Sequence, residues 1–346
     1  MGGESIVITF HPHPRLVVDP GSEHIRLLTT IEEKIHLLRQ YGIDHLVVVP
    51  FTLEFAQMSA DEYIESFLIG RFHPHTVVIG YDHRFGHNRQ GDINFMKWYG
   101  RKAGFRVVEI PPQLVDEVAV SSTRIREAIR TGDIRTANKL LGHYFPIIGP
   151  VVHGKKMGRE LGFPTANVEV REKEKLLPPD GIYAAFVTYK NKRHKAALYI
   201  GRRPTVDGGR ARAVEVHIFD FNKEIYHDRL IVEVVDFIRP DQRFESADAL
   251  RQQIQRDLDI AKNILDAAEE EEKTTRRRPT VAIVLLNYNT RHLLRQYLPH
   301  VLATDYPNLK VVVADNGSTD GSADFVAQEY PEIQVIRLSA NKGYAG

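Results

Sequence analysis

Three folded regions in series are predicted: a parallel α/β sheet, an antiparallel β-barrel or sandwich closed by a long helix, and the start of a second α/β unit. Three observations predict them. Short apolar strands alternate with amphipathic helices up to about residue 142, short alternating strands separated by turn residues follow, and a fresh strand–helix–strand pattern starts after a charged run near residue 270. A chain of 346 residues is long for one domain. Its 46 basic and 45 acidic residues nearly cancel, which argues against a bulk pull toward nucleic acid or anionic membrane. The absence of cysteine excludes disulfides and thiolate chemistry. No apolar run approaches the roughly 20 residues that span a bilayer, and the opening residues lack a basic-then-apolar leader. A cytoplasmic protein without membrane-spanning segments is expected.

In the first region, SIVITF (5–10) reads as a buried strand, TTIEEKIHLLRQYG (29–42) as a helix closed by glycine, and HLVVVPF (45–51) as a second strand. SADEYIESFLIGRF (59–72) is predicted helical, with Ser59 and Glu62 in the capping-box arrangement. TVVIG (76–80), a helix over 95–104 and FRVVEI (105–110) continue the alternation, and SSTRIREAIRTG (121–132) opens a helix on hydroxyls. From about Tyr144 the pattern changes to strands at 181–189, 195–201, 213–221 and 229–238, then a helix over 246–268. The run of Glu and Lys/Arg over 269–279 is read as a solvated linker. TVAIVLLNYN, a helix and LKVVVADNGSTDGS begin the last region.

Two stretches carry chemistry. In GKKMGRELGFPTANV, Gly154, Gly158 and Gly162 recur at a spacing of four among Lys155, Lys156 and Arg159. Glycines let backbone N–H groups approach phosphate oxygens. Beyond Pro164, Thr165 and Asn167 offer neutral oxygens at i and i+2, suited to the Mg²⁺ carried by a nucleotide. The stretch lacks the G-K-[ST] ending of a Walker A loop, and an ordinary surface loop is the alternative. In AVEVHIFDF, strand alternation puts Glu215 and His217 on one face, where a carboxylate could serve as general base for a hydroxyl acceptor. A merely exposed strand face is the other reading.

Over about 149–266 the chain resembles the riboflavin kinase, or flavokinase, family. The resemblance rests on the GxxxGRxLGFPTANV loop, PPDGIYAA (178–185), IGRRPT (200–205), VEVHIFDF and FIRPDQRF (237–244), in that order. It implies an antiparallel flavokinase barrel with a C-terminal helix, Thr165 and Asn167 as Mg²⁺–ATP ligands and Glu215 as base for the riboflavin 5′-hydroxyl. It further implies an ATP loop through Gly154, Lys155, Gly158, Gly162 and Pro164, and Arg239 on the flavin side. Tyr199 in place of an asparagine, Val206 in place of a phenylalanine, and Ile225-Tyr226-His227 in place of Leu-Tyr-Gly are departures away from the cation ligands and base.

The preceding part resembles an FMN adenylyltransferase, the FAD synthetase half of a bifunctional enzyme, in FHPHPRLV (10–17), FTLEFAQMSADEYI (51–64), VIGYDHRFGHNRQGD (78–92) and VSSTRIREAI (120–129). It implies a Rossmann-like nucleotidyltransferase sheet with a nucleotide site at His13, Asp82, Ser121, Ser122, Thr123 and Arg126, hydroxyls at a helix start suiting a phosphate. The family's opening strand and G-x-F-D-G-x-H-x-G-H element are not in this sequence, so a truncated sheet is expected. His11, His13, His73, His75, His83 and His87 do not replace that element. The last region resembles the first third of an inverting nucleotide-sugar glycosyltransferase, in VAIVLLNYNT, VVVADNGSTDGS and SANKGYAG, with Asp315 near the base. Its D-x-D motif and catalytic carboxylate are not in the chain.

The expected organisation is an adenylyltransferase domain over 1–142, a kinase domain over 143–268, the linker 269–279 and an incomplete glycosyltransferase over 280–346. The expected activity is riboflavin phosphorylation to FMN with ATP and Mg²⁺, its partners being riboflavin, ATP and FMN and no nucleic acid. Two alternatives stand: a full bifunctional enzyme whose lost segment is encoded upstream, and a non-catalytic flavin- or nucleotide-binding fragment.

Overall fold

The edges of the strands, more than their number, distinguish the parts of this protein. A computed structural model describes residues 3–19, 21, 26–111, 114–115, 118–154, 158, 161–204, 210–277, 281–306 and 308–341. The chain divides into two compact units, residues 1–265 and 266–346. The first two expected domains therefore share one unit.

The first region supplies β1 (Ile6–His11), α1 (Pro14–Val18), α2 (Ile31–Gln40), β2 (His45–Pro50), α3 (Leu53–Gln57), a helix over 60–72 (α4), β3 (Thr76–Gly80), α5 (Ile93–Ala103) and β4 (Arg106–Ile110). The capping box at Ser59 is present, and α4 widens into a π-helix over Tyr63–Ile69. β-Branched runs make the strands, which pair in parallel as predicted, but in two separate two-stranded sheets, β1 with β2 and β3 with β4. Both pairs share one small core of Ile64, Leu68, Val77, Met96, Tyr99 and Phe105, with Ile8 and Ile79 against it. A short hairpin, β5 (Leu114–Val115) and β6 (Val118–Ala119), leads to α6 (Ser122–Thr131) and α7 (Ile134–Leu141).

Six strands then close a barrel: β7 (Phe145–Val152), β8 (Ala166–Val168), β9 (Gly181–Tyr189), β10 (Lys192–Pro204), β11 (Arg210–Ile218) and β12 (Arg229–Pro240), in the order β10-β11-β8-β7-β12-β9. All six pairings are antiparallel. Tyr183, Ala185, Val187, Leu198, Ile200, Val216, Leu230, Val232 and Val234 fill the core. Asn138 on α7 joins helix to barrel: its amide donates to the Val234 and Val235 carbonyls at 2.9 and 3.1 Å and accepts from the Phe145 N–H at 2.8 Å.

α2 is welded to the barrel by charge. Lys175 Nζ donates to Glu33 Oε2 at 2.6 Å and to the Leu28 and Pro146 carbonyls at 2.8 Å each, while Glu33 Oε1 accepts from the Ile148 N–H at 3.2 Å. Both side chains are buried, at 0% and 1% exposure. Burial pushes the Lys175 ammonium below the usual lysine range, against the pull of Glu33.

The helix α8 (Ala247–Arg277) buries Asp257, Ala261 and Leu265 and then continues through the charged run from 269, where the sequence predicts a solvated linker. The reason is local: Glu, Lys and Arg are good helix formers. Lys273 pairs with Glu270 one turn back, at 3.6 Å. In the second unit, β13 (Val281–Asn287), α9 (Arg291–Leu302), β14 (Leu309–Asp315), α10 (Ser322–Glu329) and β15 (Gln334–Arg337) form a three-stranded parallel sheet, β13-β14-β15, on a core of Leu294, Leu298, Val313, Phe325 and Val326. Among the described residues, no helix is long and apolar enough to cross a membrane.

Candidate functional site

Antiparallel pairing of β8 with β11 sets Asn167 directly opposite Glu215. Two residues earlier in sequence, the Thr165 hydroxyl donates to Glu215 Oε2 at 3.0 Å. The two oxygen-bearing residues and the carboxylate singled out in the sequence therefore meet at one place. Val214, Val216 and Ile218 turn into the core, leaving Glu215 and His217 half-buried on the other face, as strand alternation requires. His217 Nδ1 lies 2.9 Å from the Pro164 carbonyl and so pins the turn that presents Thr165.

The glycines act by contact more than by flexibility. A Cβ on Gly154 would stand 2.1 Å from Asn167 Nδ2, and one on Gly158 would stand 2.5 Å from the Phe163 carbonyl oxygen. Gly162 is left-handed, at φ 89°. Gly154, Pro164, Thr165 and Asn167 line one cavity together with Lys223 and Tyr226. Tyr226 stacks on His153 at 4.0 Å between ring centres. The sequence-predicted phosphate-loop residues Lys155, Lys156 and Arg159 lie outside the described residues. The donor set fits a divalent cation: Thr165 and Asn167 present neutral oxygens beside a carboxylate. Among the described residues, no group of three or more His, Asp or Glu is placed to hold a metal, and this includes the histidines of the first region.

Arg239 is engaged elsewhere. Its guanidinium grips Asp257 of α8 through Nε and Nη2, at 2.7–3.0 Å, which fixes the helix against the end of β12. Sequence reasoning missed Tyr199, treated only as a departure. It is the cross-strand partner of Glu215, and its hydroxyl donates to Asp241 at 3.1 Å. Burial first, then the neighbouring Asp241 and Glu215 carboxylates, push its phenol up to about 12, so it stays a neutral donor. A Cβ on Gly201 would strike the Tyr199 hydroxyl, which ties the IGRRPT glycine to this ring. Strand alternation between Tyr199 and Gly201 was the available signal.

In the first region, His13 caps α1 by accepting from the Arg15 N–H. Burial, then the charges of Arg15, Arg126 and Lys34, hold its imidazole below the usual range. His13 and Arg126 are thus neighbours, and Arg126 Nε donates to the Arg26 carbonyl at 2.8 Å. Ser121 caps α6, which begins with Ser122 and Thr123. Asp82 follows the end of β3, beside the half-buried His83. In the second unit, Asp315 is buried and accepts from Asn287 Nδ2 at 2.7 Å and from the Ser318 N–H at 3.0 Å.

Residues 141–265 match the family model for riboflavin kinase, residues 1–124 that for FAD synthetase, and residues 282–346 that for glycosyl transferase family 2. A bifunctional riboflavin kinase/FMN adenylyltransferase of Listeria monocytogenes is 33% identical over 256 residues, 74% of this chain and 81% of its own length. That of Escherichia coli K12 is 36% identical over 253 residues, 73% and 80% of the two chains. A Streptococcus pneumoniae structure titled as a macrolide-efflux protein superposes with a TM-score of 0.66 at 32% identity, over 75% of this chain and 84% of that one. With barrel, loop and carboxylate arranged as described, and relatives matched over four-fifths of their length, this chain belongs to the bifunctional riboflavin kinase/FMN adenylyltransferase family.

Proposed function

We propose that this chain is a riboflavin kinase that transfers the γ-phosphoryl group of ATP to the riboflavin 5′-hydroxyl, giving FMN and ADP. The observation that carries the reading is the contact of Thr165 with Glu215 opposite Asn167. Glu215 takes the proton of the 5′-hydroxyl as the oxygen–phosphorus bond forms and the bond to ADP breaks. The Thr165 hydroxyl orients that carboxylate, and Tyr199 and Asp241 hold the neighbouring strand position. Gly154, whose missing side chain leaves room beside Asn167, suits a close approach of phosphate oxygens to the backbone. Mg²⁺, held by Thr165 and Asn167, would neutralise phosphate charge. Arg239 is a positioning residue in this scheme, acting through Asp257.

The test is to incubate the full chain with riboflavin and Mg²⁺–ATP and to resolve FMN from FAD. FMN should accumulate, and Glu215→Gln should lower kcat by roughly 10²–10⁴ with a modest change in ATP affinity. Unchanged turnover in that variant overturns the assignment. A second reading, FAD synthesis by the same chain, is favoured by the match over residues 1–124. We infer that it is the weaker activity, because the parallel strands that would carry that site lie in two unjoined pairs. Efficient conversion of FMN to FAD would reverse this ranking.

A further inference from the structure

Apart from the cavity of Thr165 and Asn167, a groove of about 360 Å³ runs between α2 and the wall of the barrel. Its apolar lining is three isoleucines from three elements: Ile35 on α2, Ile148 on β7 and Ile231 on β12. Its charged lining is three basic residues, Arg39, Lys190 and Arg229, against the single acid Glu32. His36 and Arg39, three residues apart on α2, face one side, and Lys190 with Asn191 faces the other. Lys190 and Asn191 form the tight turn between β9 and β10, both left-handed at φ 45° and 64°. That turn geometry fixes where the lysine stem leaves the backbone.

The charges are unevenly satisfied. Arg229 is paired with Glu32 inside the groove, so those two cancel. Lys190 lies 3.5 Å from Asp228 and 5.0 Å from the centre of the Tyr189 ring, with most of its side chain in solvent. Among the described residues, Arg39 has no carboxylate within ion-pair distance. A concave apolar patch with a few convergent polar groups is the usual form of a small-molecule site, and here the surplus charge is positive. Guanidinium and ammonium groups on facing walls suit an oxyanion between them.

We propose that this groove binds a small molecule in which a phosphomonoester is carried on an apolar ring. The ring lies on the isoleucines and the phosphate between Arg39 and Lys190. Such a ligand bridges α2 and the barrel, adding to the Glu33–Lys175 weld. The site is separate from the cavity of Thr165 and Asn167, and the inference does not depend on the kinase reading.

Phenyl phosphate is a suitable probe, titrated into the full chain and followed by calorimetry and by amide chemical shifts. Saturable binding is expected with a Kd of roughly 1 mM, the scale for so few non-hydrogen atoms. Arg39→Ala and Lys190→Ala should each weaken it about tenfold, as loss of one charge-assisted contact does. Thr165→Val should leave it unchanged, and phenol alone should bind far more weakly. Both basic residues are exposed, and thermal melts of the variants verify that they remain folded. Binding that Thr165→Val abolishes and the two alanine variants leave intact would place the ligand in the barrel cavity and overturn the proposal. An absence of saturation well above the expected Kd would overturn it as well.

Discussion

The barrel and the first region solve the same problem differently. In the barrel each strand hydrogen-bonds along its length to its neighbours and the sheet returns on itself. Within 145–240, no described large hydrophobic side chain is exposed. In the first region four strands of comparable apolar content form two separate pairs. Their large side chains reach solvent, Ile6 at 44%, Val48 at 39%, Val78 at 56% and Ile110 at 43% exposure. Closure removes strand edges and lets both faces be filled, whereas parallel strands are normally covered on both faces. Composition made strands in both regions. What differs is how many neighbours each strand has.

The Glu33–Lys175 pair joins the two regions. Lys175→Ala strips the buried Glu33 carboxylate of its counter-charge, leaving only backbone N–H partners. Removing one member of such a pair costs about 3–5 kcal/mol, and thermal melts of the full chain should show the loss. A change under about 1 kcal/mol would mean that the groove-side helix is not held by this pair. Next comes a matched pair of truncations. Leu230→Ala in the fully buried barrel core should cost about 2–5 kcal/mol. Val78→Ala, on the exposed face of β3, should stay within about 0.5 kcal/mol. Equal losses by denaturant titration would erase the distinction drawn here.

A smaller effect sharpens the barrel side. His227 sits at φ 67°, a left-handed position that costs a side chain roughly 1 kcal/mol or more. Its N–H still donates to the Val151 carbonyl at 2.8 Å, so the conformation is enforced by the sheet. His227→Gly should stabilise by about 0.5–1 kcal/mol despite the entropy glycine loses on folding; a destabilised variant would show that the imidazole packing on His153 matters more. Least in size is a pH effect confined to the first region. Burial, foremost, holds His13 and His83 below the ordinary value of 6.5. The native state therefore binds their protons less readily than the unfolded chain. The stability of their neutral forms is complete above 6.5 and is lost as pH falls below it. Imidazole titration by NMR should place both midpoints below 6.5, and midpoints at or above it would sink the argument.

Much of the fold was legible because apolar periodicity is local. TVVIG and GIYAAFVTY became strands with the bounds their patterns imply, and the hydroxyl–Glu spacing marked the start of α4. The coming together of Thr165, Asn167 and Glu215 was legible only through resemblance, since 48 residues separate Asn167 from its strand partner. Edges were not legible: β3 reads the same whether one neighbour pairs with it or two. The reach of α8 to Arg277 was missed because a charged run suits both a solvated helix and a coil. Glu33 and Lys175 look like surface residues of their own segments, and nothing in either segment announces that the other will bury it.

That pairing has a consequence for the order of synthesis. Glu33 leaves the ribosome 142 residues ahead of Lys175, an interval of about 7–28 s at ordinary elongation rates. Over the first 115 residues of that interval, until Ile148 is made, the Glu33 carboxylate has only its capping partner, the Thr30 N–H, and water. The helix can thus form early on its own cap and wait in a hydrated state. The arriving lysine then finds a preformed acceptor, and the desolvation of both charges is deferred until the barrel strands that enclose them have been made.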